Sequence, residues 1–278
     1  MIIKNGKIDS PVSRDYIARI GLFADVHVGY SSWGDYYALN TVISNMNRKH
    51  PDFCFIIGDC IDSGYSNTQT LMKEQLTILN QCFSKLKSPL FRIKGNHDAD
   101  VSSFTEFGTV TFNGIRFVCI YPKYVGTAVP EGQTAEHWGR GLLTDDDIAW
   151  IKTELEAGEG YKNVILSHYC LVDYSQDNRF IWSIGDTMTN IYNGEAVDGH
   201  RDDLIALLNA HDVDVFINGH EHKNGLVNAV VDGTSITNVQ IPSTTSRYAV
   251  LTVYDDRYEF VEYDSATDEQ TATLTVVM

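Results

Sequence analysis

The sequence predicts an α/β fold, a four-layer α/β/β/α sandwich in which two mixed sheets face each other with helices outside. Three observations carry that expectation. Apolar, β-branched runs such as Phe53–Ile57 (FCFII) alternate with amphipathic helical stretches through the first part of the chain. From Leu226 onward the pattern changes to short β runs split by Asp-Gly, Pro and Asp-Asp turns, which supplies the second sheet. Each early apolar run also stops at a cluster of Gly, Asp, Asn or His. The metal-binding site is therefore expected at strand carboxyl ends, where open α/β sheets place their ligands.

A chain of 278 residues can bury a substantial core. Residues 1–278 are read as a single domain with a lid-like insertion at 169–199. Lys and Arg number 21 against 37 Asp and Glu, a formal charge of −16. That balance disfavours a sequence-independent grip on nucleic acid or on an anionic membrane. A small anion can still bind beside metal ions, which invert the local field. The five cysteines (Cys54, Cys60, Cys82, Cys119, Cys170) show no CxxC or zinc-ribbon spacing and read as reduced core thiols. No apolar run approaches the ~18 residues of a membrane helix, and Met1–Ser10 has no hydrophobic segment resembling a signal peptide. A cytoplasmic protein is the expectation.

In chain order, Tyr16–Ala24 (YIARIGLFA) is the first strand, running out into Asp25-Val26-His27. Gly34–His50 follows as a helix, with Leu39, Val42, Ile43 and Met46 at three- and four-residue spacing and Pro51 as its stop. Phe53–Ile57 is a fully apolar strand of the kind buried on both faces. It ends in Gly58-Asp59-Cys60-Ile61-Asp62. Strand, helix and strand imply a right-handed parallel crossover, so Asp25 and Asp59 fall on one edge. Thr68–Lys85 is a second amphipathic helix with apolar positions Leu71, Leu76, Leu79, Cys82 and Phe83; Pro89–Lys94 is the third strand, ending in Gly95-Asn96-His97-Asp98.

A lone Gly-Asp also fits a turn or a helix cap, and a lone Asp-x-His fits a structural pair. Repetition is what favours a metal crevice. Residues two apart on a strand share a face, and carboxylate plus imidazole suits a borderline divalent metal. Three such ends on adjacent parallel strands gather Asp25, His27, Asp59 and Asn96 around one crevice.

Further along, strands at Val110–Thr111 and Ile115–Tyr121 flank an Asn113-Gly114 hairpin signal. A helix over Leu143–Leu155 has Thr144 as N-cap, acidic residues in its first turn and Ile148, Ile151 and Leu155 inward. Asn163–Ser167 is a strand ending at His168; Arg201–Ala210 reads as a helix; Val213–Asn218 is a strand followed by Gly219-His220-Glu221-His222. The remaining β runs are Leu226–Val231, Ser235–Gln240, Tyr248–Tyr254, Glu259–Tyr263 and Thr271–Val277. Residues 169–199 carry little regular pattern, as functional lids and binding loops often do.

In that order, Asp-x-His, Gly-Asp-x-x-Asp, Gly-Asn-His-Asp, a lone His168 and Gly-His-x-His, the sequence resembles the calcineurin-like metallophosphoesterase superfamily. The resemblance spans about residues 17 to 265 and also implies the α/β/β/α sandwich. It implies a dinuclear centre of two metal ions, Mn, Fe or Zn. Asp25, His27 and His222 would hold one ion, Asn96, His168 and His220 the other, with Asp59 bridging both. It implies a phosphoesterase in which metal-bound hydroxide attacks phosphorus in line. It assigns His97, hydrogen-bonded to Asp62, as the dyad that donates a proton to the leaving oxygen or stabilises phosphoryl charge.

Departures from the family pattern narrow the expectation. Asp62 is followed by Ser63-Gly64, where Ser/Thr protein phosphatases carry a phosphate-gripping arginine. The tyrosine ligand of purple acid phosphatases is absent at Asp62. What remains resembles bacterial cyclic-nucleotide phosphodiesterases, glycerophosphodiesterases and nucleotide-sugar or nucleotide-diphosphate hydrolases. The expected partner is a small phosphorylated substrate, a phosphodiester or phosphomonoester of nucleotide or glycerophosphodiester type. Alternatives are a nuclease, which needs a basic groove, and a non-catalytic protein-binding scaffold, which needs no complete ligand set. Tyr30, Trp33, Tyr169, Tyr174 and Trp182 are candidates for stacking on a base or packing a sugar, though such aromatics also serve as plain packing. His50, His137, His200 and His211 fit no ligand pattern and read as surface or capping residues.

Overall fold

A computed structural model describes residues 6–8, 15–29, 36–62, 69–124, 141–172, 184, 187–189 and 196–278. The elements run β1 (Gly6–Ile8), β2 (Ala18–Phe23), α1 (Tyr36–Lys49), β3 (Phe53–Ile57), α2 (Gln69–Phe83), β4 (Leu90–Ile93), β5 (Gly108–Phe112), β6 (Ile115–Ile120), β7 (Lys123–Tyr124) and β8 (Gly141–Leu142). They continue with α3 (Asp145–Glu156), β9 (Lys162–Ser167), β10 (Thr187–Thr189), β11 (Ala196–Asp198), α4 (Arg201–Ala210), β12 (Val215–Asn218), β13 (Val227–Val230), β14 (Thr237–Gln240), β15 (Arg247–Val253), β16 (Arg257–Asp264) and β17 (Gln270–Val277).

Two mixed sheets form the sandwich. One has six strands in the order β17-β16-β15-β2-β3-β4 and the other seven in the order β1-β5-β6-β9-β12-β14-β13. Between them lies a shared apolar layer, built from alternate residues of both sheets: Ile20, Phe53, Phe55 and Leu251 from one, Phe112, Phe117, Leu166 and Ile217 from the other. Phe53 is its hub, with ring centroids of Phe55, Phe91, Phe112 and Phe117 between 5.5 and 5.9 Å away. The helices cover the outer faces. Leu39, Val42, Met46, Leu79 and Phe83 of α1 and α2 pack on Phe23, Cys54 and Ile56, while Ile151, Leu155, Leu204 and Leu208 of α3 and α4 pack on Val118, Ile165 and Phe216.

The local signals act as expected. Asn113 and Gly114 both take positive φ, 47° and 82°, the mirror-image turn that joins antiparallel β5 and β6. Thr144 caps α3 in a reciprocal box: its hydroxyl accepts from the Asp147 N–H, and its own N–H donates to Asp147 Oδ2. His200 and His211 stand at the two caps of α4. All five cysteines are buried and unbridged.

Some expectations are corrected. On α2 Leu71 is 41% exposed and Met72 turns inward instead, a phase shift that a helical pattern broken by polar residues left open. The insertion at 169–199 is not without regular pairing, since β10 and β11 form an antiparallel pair; most of its other residues, with Trp182 and Tyr174, lie outside the described ones, as do Tyr30, Trp33 and His137. No helix among the described residues is long and apolar enough to cross a membrane.

Position matters most at one rim. β2, β3 and β4 are parallel neighbours in one sheet, and β6, β9, β12 and β14 are parallel neighbours in the other. The ends of β2, β3, β4, β9 and β12 carry all the sequence motifs singled out above.

Candidate metal centre

The pairing of β2 with β3 continues past the strands. The N–H groups of Asp25, His27 and Val28 donate to the carbonyls of Gly58, Asp59 and Cys60 at 3.2, 2.9 and 3.2 Å, and the Asp62 N–H donates back to Val28 at 3.2 Å. Two loops are thereby zipped together, which brings Asp25 and Asp59 into one place. On the other sheet the Gly219 N–H donates to the His168 carbonyl at 3.2 Å, setting the loop after β12 beside the end of β9. The sheets join across the rim, where the His220 N–H donates to both carboxylate oxygens of Asp25 at 3.0 Å.

All seven candidate ligands come together. His27 Nε2 lies 3.0 Å from His222 Nε2 and 3.5 Å from Asp59 Oδ2, and His222 Nε2 lies 3.4 Å from Asp25 Oδ1. On the other side His168 Nε2 lies 3.0 Å from Asn96 Oδ1, 3.0 Å from His220 Nδ1 and 3.2 Å from Asp59 Oδ2. Asp59 Oδ2 therefore faces both imidazole groups, while its Oδ1 accepts the His97 N–H at 2.9 Å. Asp25, Asp59 and His168 are at most 1% exposed; the side chains of His222, His97 and Asp62 form the open side, at 31, 25 and 24%.

Close approach of the main chain makes this possible. A Cβ on Gly95 would meet Asp59 Oδ1 at 2.2 Å, and one on Gly58 would meet His168 Nδ1 at the same distance. Gly58 also has φ 76°. Five of the seven candidate ligands, Asp25, His27, Asp59, His220 and His222, likewise adopt positive φ, between 45° and 81°. For residues with a Cβ this conformation costs roughly 1–2 kcal/mol each, less for Asp. Strain of this kind concentrates at functional sites.

Carboxylates and imidazoles bias one another across the site. Burial opposes ionisation of Asp59, yet the imidazoles of His168, His97 and His27 outweigh it and hold the carboxyl well below its usual range. Burial works against a charged His168 too, but Asp59 and Asp25 push its pKa up to about 9. The His168 Nδ1–H has the Ile57 carbonyl at 3.0 Å, which turns Nε2 toward Asn96, His220 and Asp59. One proton on Nε2 serves only one of those three neighbours at a time. A cation serves all of the lone pairs at once, and the mixed imidazole, carboxylate and amide donors are ones a borderline divalent metal accepts. The residues present fit two metal ions, one beside Asp25, His27 and His222, the other beside Asn96, His168 and His220.

A family model for calcineurin-like phosphoesterases matches residues 18–224. The chain belongs to that family. A dimetal phosphatase from Danio rerio is similar over 95% of this chain and 99% of its own, at TM-score 0.69 and 14% identity. The purple acid phosphatase PPD1 from yellow lupin is similar at TM-score 0.61 and 13% identity, covering 95% of this chain and 54% of that one. GAP50, the anchor in the inner membrane complex of Plasmodium, reaches TM-score 0.57 at 11% identity, covering 94% and 89%. At these identities the likeness is one of fold. No match is found among curated proteins.

One detail departs from the family expectation, and one aromatic candidate takes its packing role. The His97 ring meets Asp62 first through the main chain, with Nδ1 3.0 Å from the Asp62 carbonyl oxygen; the Asp62 carboxylate lies 3.5 Å from His97 Nδ1 and 3.6 Å from His27 Nδ1, between the two rings. Tyr169, a candidate for stacking on a base, is fully buried instead, with its ring centroid 4.7 Å from that of His220 and 5.5 Å from that of His168. It supports the imidazoles from behind.

Sequence reasoning missed three supporting residues. Asp98, fully buried, accepts the N–H groups of Cys60, Ile61 and Gly95 at 3.0 to 3.2 Å, stapling the β3 loop to the β4 loop. Ser243 Oγ donates to the Asp25 carbonyl at 3.0 Å, and Thr244 Oγ1 accepts the Ala24 N–H at 2.9 Å. The available signals were the carboxylate closing Gly-Asn-His-Asp and the hydroxyl run Ser243–Ser246 after an apolar strand.

Proposed function

We propose that this calcineurin-like chain is a two-metal phosphohydrolase acting on a small phosphoester, a phosphodiester or phosphomonoester of nucleotide or glycerophosphodiester type. The observation that carries the reading is the complete donor set: seven side chains from five strand ends meet with Asp59 between two imidazole groups. A decayed binding scaffold has no reason to keep five of those residues in a costly left-handed conformation. Two ions held there supply Lewis acidity and a water nucleophile at neutral pH.

The chain's own residues supply the rest. Asp25, His27, Asp59, Asn96, His168, His220 and His222 would hold the ions. His97, on the open side, stands beside Asp59 with its ring Nδ1 at the Asp62 carbonyl, and its imidazole is the candidate to protonate a leaving oxygen. The charge of −16 favours a small anion drawn in by the metals over a nucleic-acid backbone.

The test combines metal analysis with turnover. Purified protein loaded with manganese should carry two ions per chain and hydrolyse aryl phosphomonoesters or bis-aryl phosphodiesters. A panel of cyclic nucleotides, nucleotide diphosphates and glycerophosphodiesters then ranks the natural class. Protein with two bound ions and no turnover of any of these overturns the reading.

A further inference from the structure

A sheet edge presents unpaired main-chain N–H and C=O groups, and native proteins shorten, cover or charge such edges to keep other chains away. Three of the four edges of the two large sheets follow that rule. β1 is three residues long and β13 four. β4 is covered by the segment after it: the Thr105 N–H donates to the Arg92 carbonyl at 2.8 Å, and the Lys94 N–H to the Thr105 carbonyl at 2.9 Å. The fourth edge is β17, eight residues of sequence QTATLTVV without charge, proline or glycine. Among the described residues no strand pairs with its outer side.

The ladder determines which groups face outward. The Met278 N–H donates to the Asp256 carbonyl at 3.1 Å, one step beyond the Arg257–Val277 pair. Hydrogen-bonded and non-hydrogen-bonded pairs alternate in an antiparallel ladder. Val277, Thr275 and Thr273, opposite Arg257, Glu259 and Val261, therefore occupy non-hydrogen-bonded pairs. Their N–H and C=O groups point away from β16, and their side chains are exposed, Val277 at 75%.

We infer that β17 is a self-association edge, at which two copies of this chain pair antiparallel about a two-fold axis and join their six-stranded sheets into one. The charge pattern selects a second copy over other occupants. A two-fold sets a row against itself, so any charge in it would approach its own copy and repel. This chain carries a formal charge of −16, yet Gln270–Met278 contains no charged residue. A charged peptide would need side chains of opposite sign along the edge, and the row has none. Setting Thr273 opposite Thr275 of the second copy pairs the outward groups of both and places threonine against threonine, a favourable cross-strand pair.

Light scattering on the full chain after size exclusion, over a dilution series, tests this. The wild type should show twice 31.2 kDa at high concentration and fall toward 31.2 kDa on dilution. Thr275→Pro removes an outward N–H without touching a bond to β16, and Thr275→Lys sets two like charges across the axis. Both variants should be monomeric at every concentration, with the wild-type circular dichroism spectrum. Should Thr275→Pro fail to fold, Thr275→Lys decides, because a lysine at an exposed position leaves the ladder intact. A wild type that is monomeric throughout, or variants that dimerise like the wild type, overturns the inference. None of these outcomes bears on the metal centre, whose residues lie on other strands.

Discussion

His97 donates its main-chain N–H to Asp59 Oδ1 at 2.9 Å, while its ring Nδ1 rests 3.0 Å from the Asp62 carbonyl oxygen. One residue thus orients the central carboxylate through its backbone and presents an imidazole through its side chain. The two roles separate under mutation. In His97→Ala the N–H remains, so Asp59 keeps its orientation and bound metal stays near two ions per chain. Turnover should fall on the order of 10²–10⁴-fold, the usual loss of a general acid. Metal analysis alongside kinetics checks it; loss of an ion would make the ring a structural prop.

Asp59→Asn tests the bridging position. Asparagine tolerates the φ of 49° at this site, so the fold should persist. An amide cannot face two cations with one charged oxygen, and metal affinity should drop by about 100-fold or more, with turnover lost. Thermal unfolding with and without EDTA gives a readout independent of activity: chelation should lower the wild-type midpoint, because ligands that bind the folded state stabilise it. It should leave the variant nearly unchanged. An equal EDTA shift in both proteins would refute the assignment.

Asp98 should prove more important to stability than any exposed acid. Asp98→Ala strands the buried N–H groups of Cys60, Ile61 and Gly95, at about 1–3 kcal/mol for each group left unsatisfied. A total loss of about 3 kcal/mol or more is expected in urea unfolding, together with weaker metal binding because the β3 and β4 loops separate. Asp98→Asn, which keeps one acceptor oxygen, should lose less. A loss under about 1 kcal/mol for the alanine variant would mean that water replaces the staple.

A pH dependence that involves none of the candidate metal ligands follows from Asp268. Burial opposes its charge, but the Tyr248 hydroxyl, Lys49 at 3.1 Å and Arg48 at 2.9 Å outweigh that and lower its pKa below the ordinary value. A carboxyl with a lowered folded-state pKa contributes stability that is full above its unfolded value, about 3.9, and is lost as pH falls through the folded value. Asp268→Asn should therefore cost about 1 kcal/mol near neutrality, a modest figure for a group partly open to solvent. The gap between wild type and variant should close toward pH 2. Urea unfolding at several pH values measures it, and a gap independent of pH would show that charge is not the cause.

Much of the fold was legible because local chemistry and tertiary context agree. The Asn113-Gly114 turn, the Thr144 cap and the apolar strand Phe53–Ile57 depend on near neighbours in sequence, and each occurs where expected. Leu71 and Met72 show the limit: both suit a helix, and only the surface of the sheet beneath decides which turns inward. At the candidate centre, Asp25, His27, Asp59 and Asn96 were readable because their motifs close three strands, and His168, His220 and His222 through the family resemblance. The support by Asp98, Ser243 and Thr244 was not, because the bonds from Asp98 to Cys60 and Ile61, from Ser243 to Asp25 and from Ala24 to Thr244 join segments distant in sequence.

The amino-acid sequence by itself carried the family's motifs, the order of the principal strands and helices and the candidate metal-binding side chains, since each motif and each periodic run is local in sequence. Only the tertiary structure decided that Asp59 Oδ2 faces two imidazole groups, that five candidate ligands bear left-handed backbone, that Tyr169 lies beneath the site and that β17 has no outer neighbour among the described residues. Those depend on how two sheets align their strand ends, and that alignment is set by long-range packing and main-chain bonds that no stretch of sequence encodes by itself.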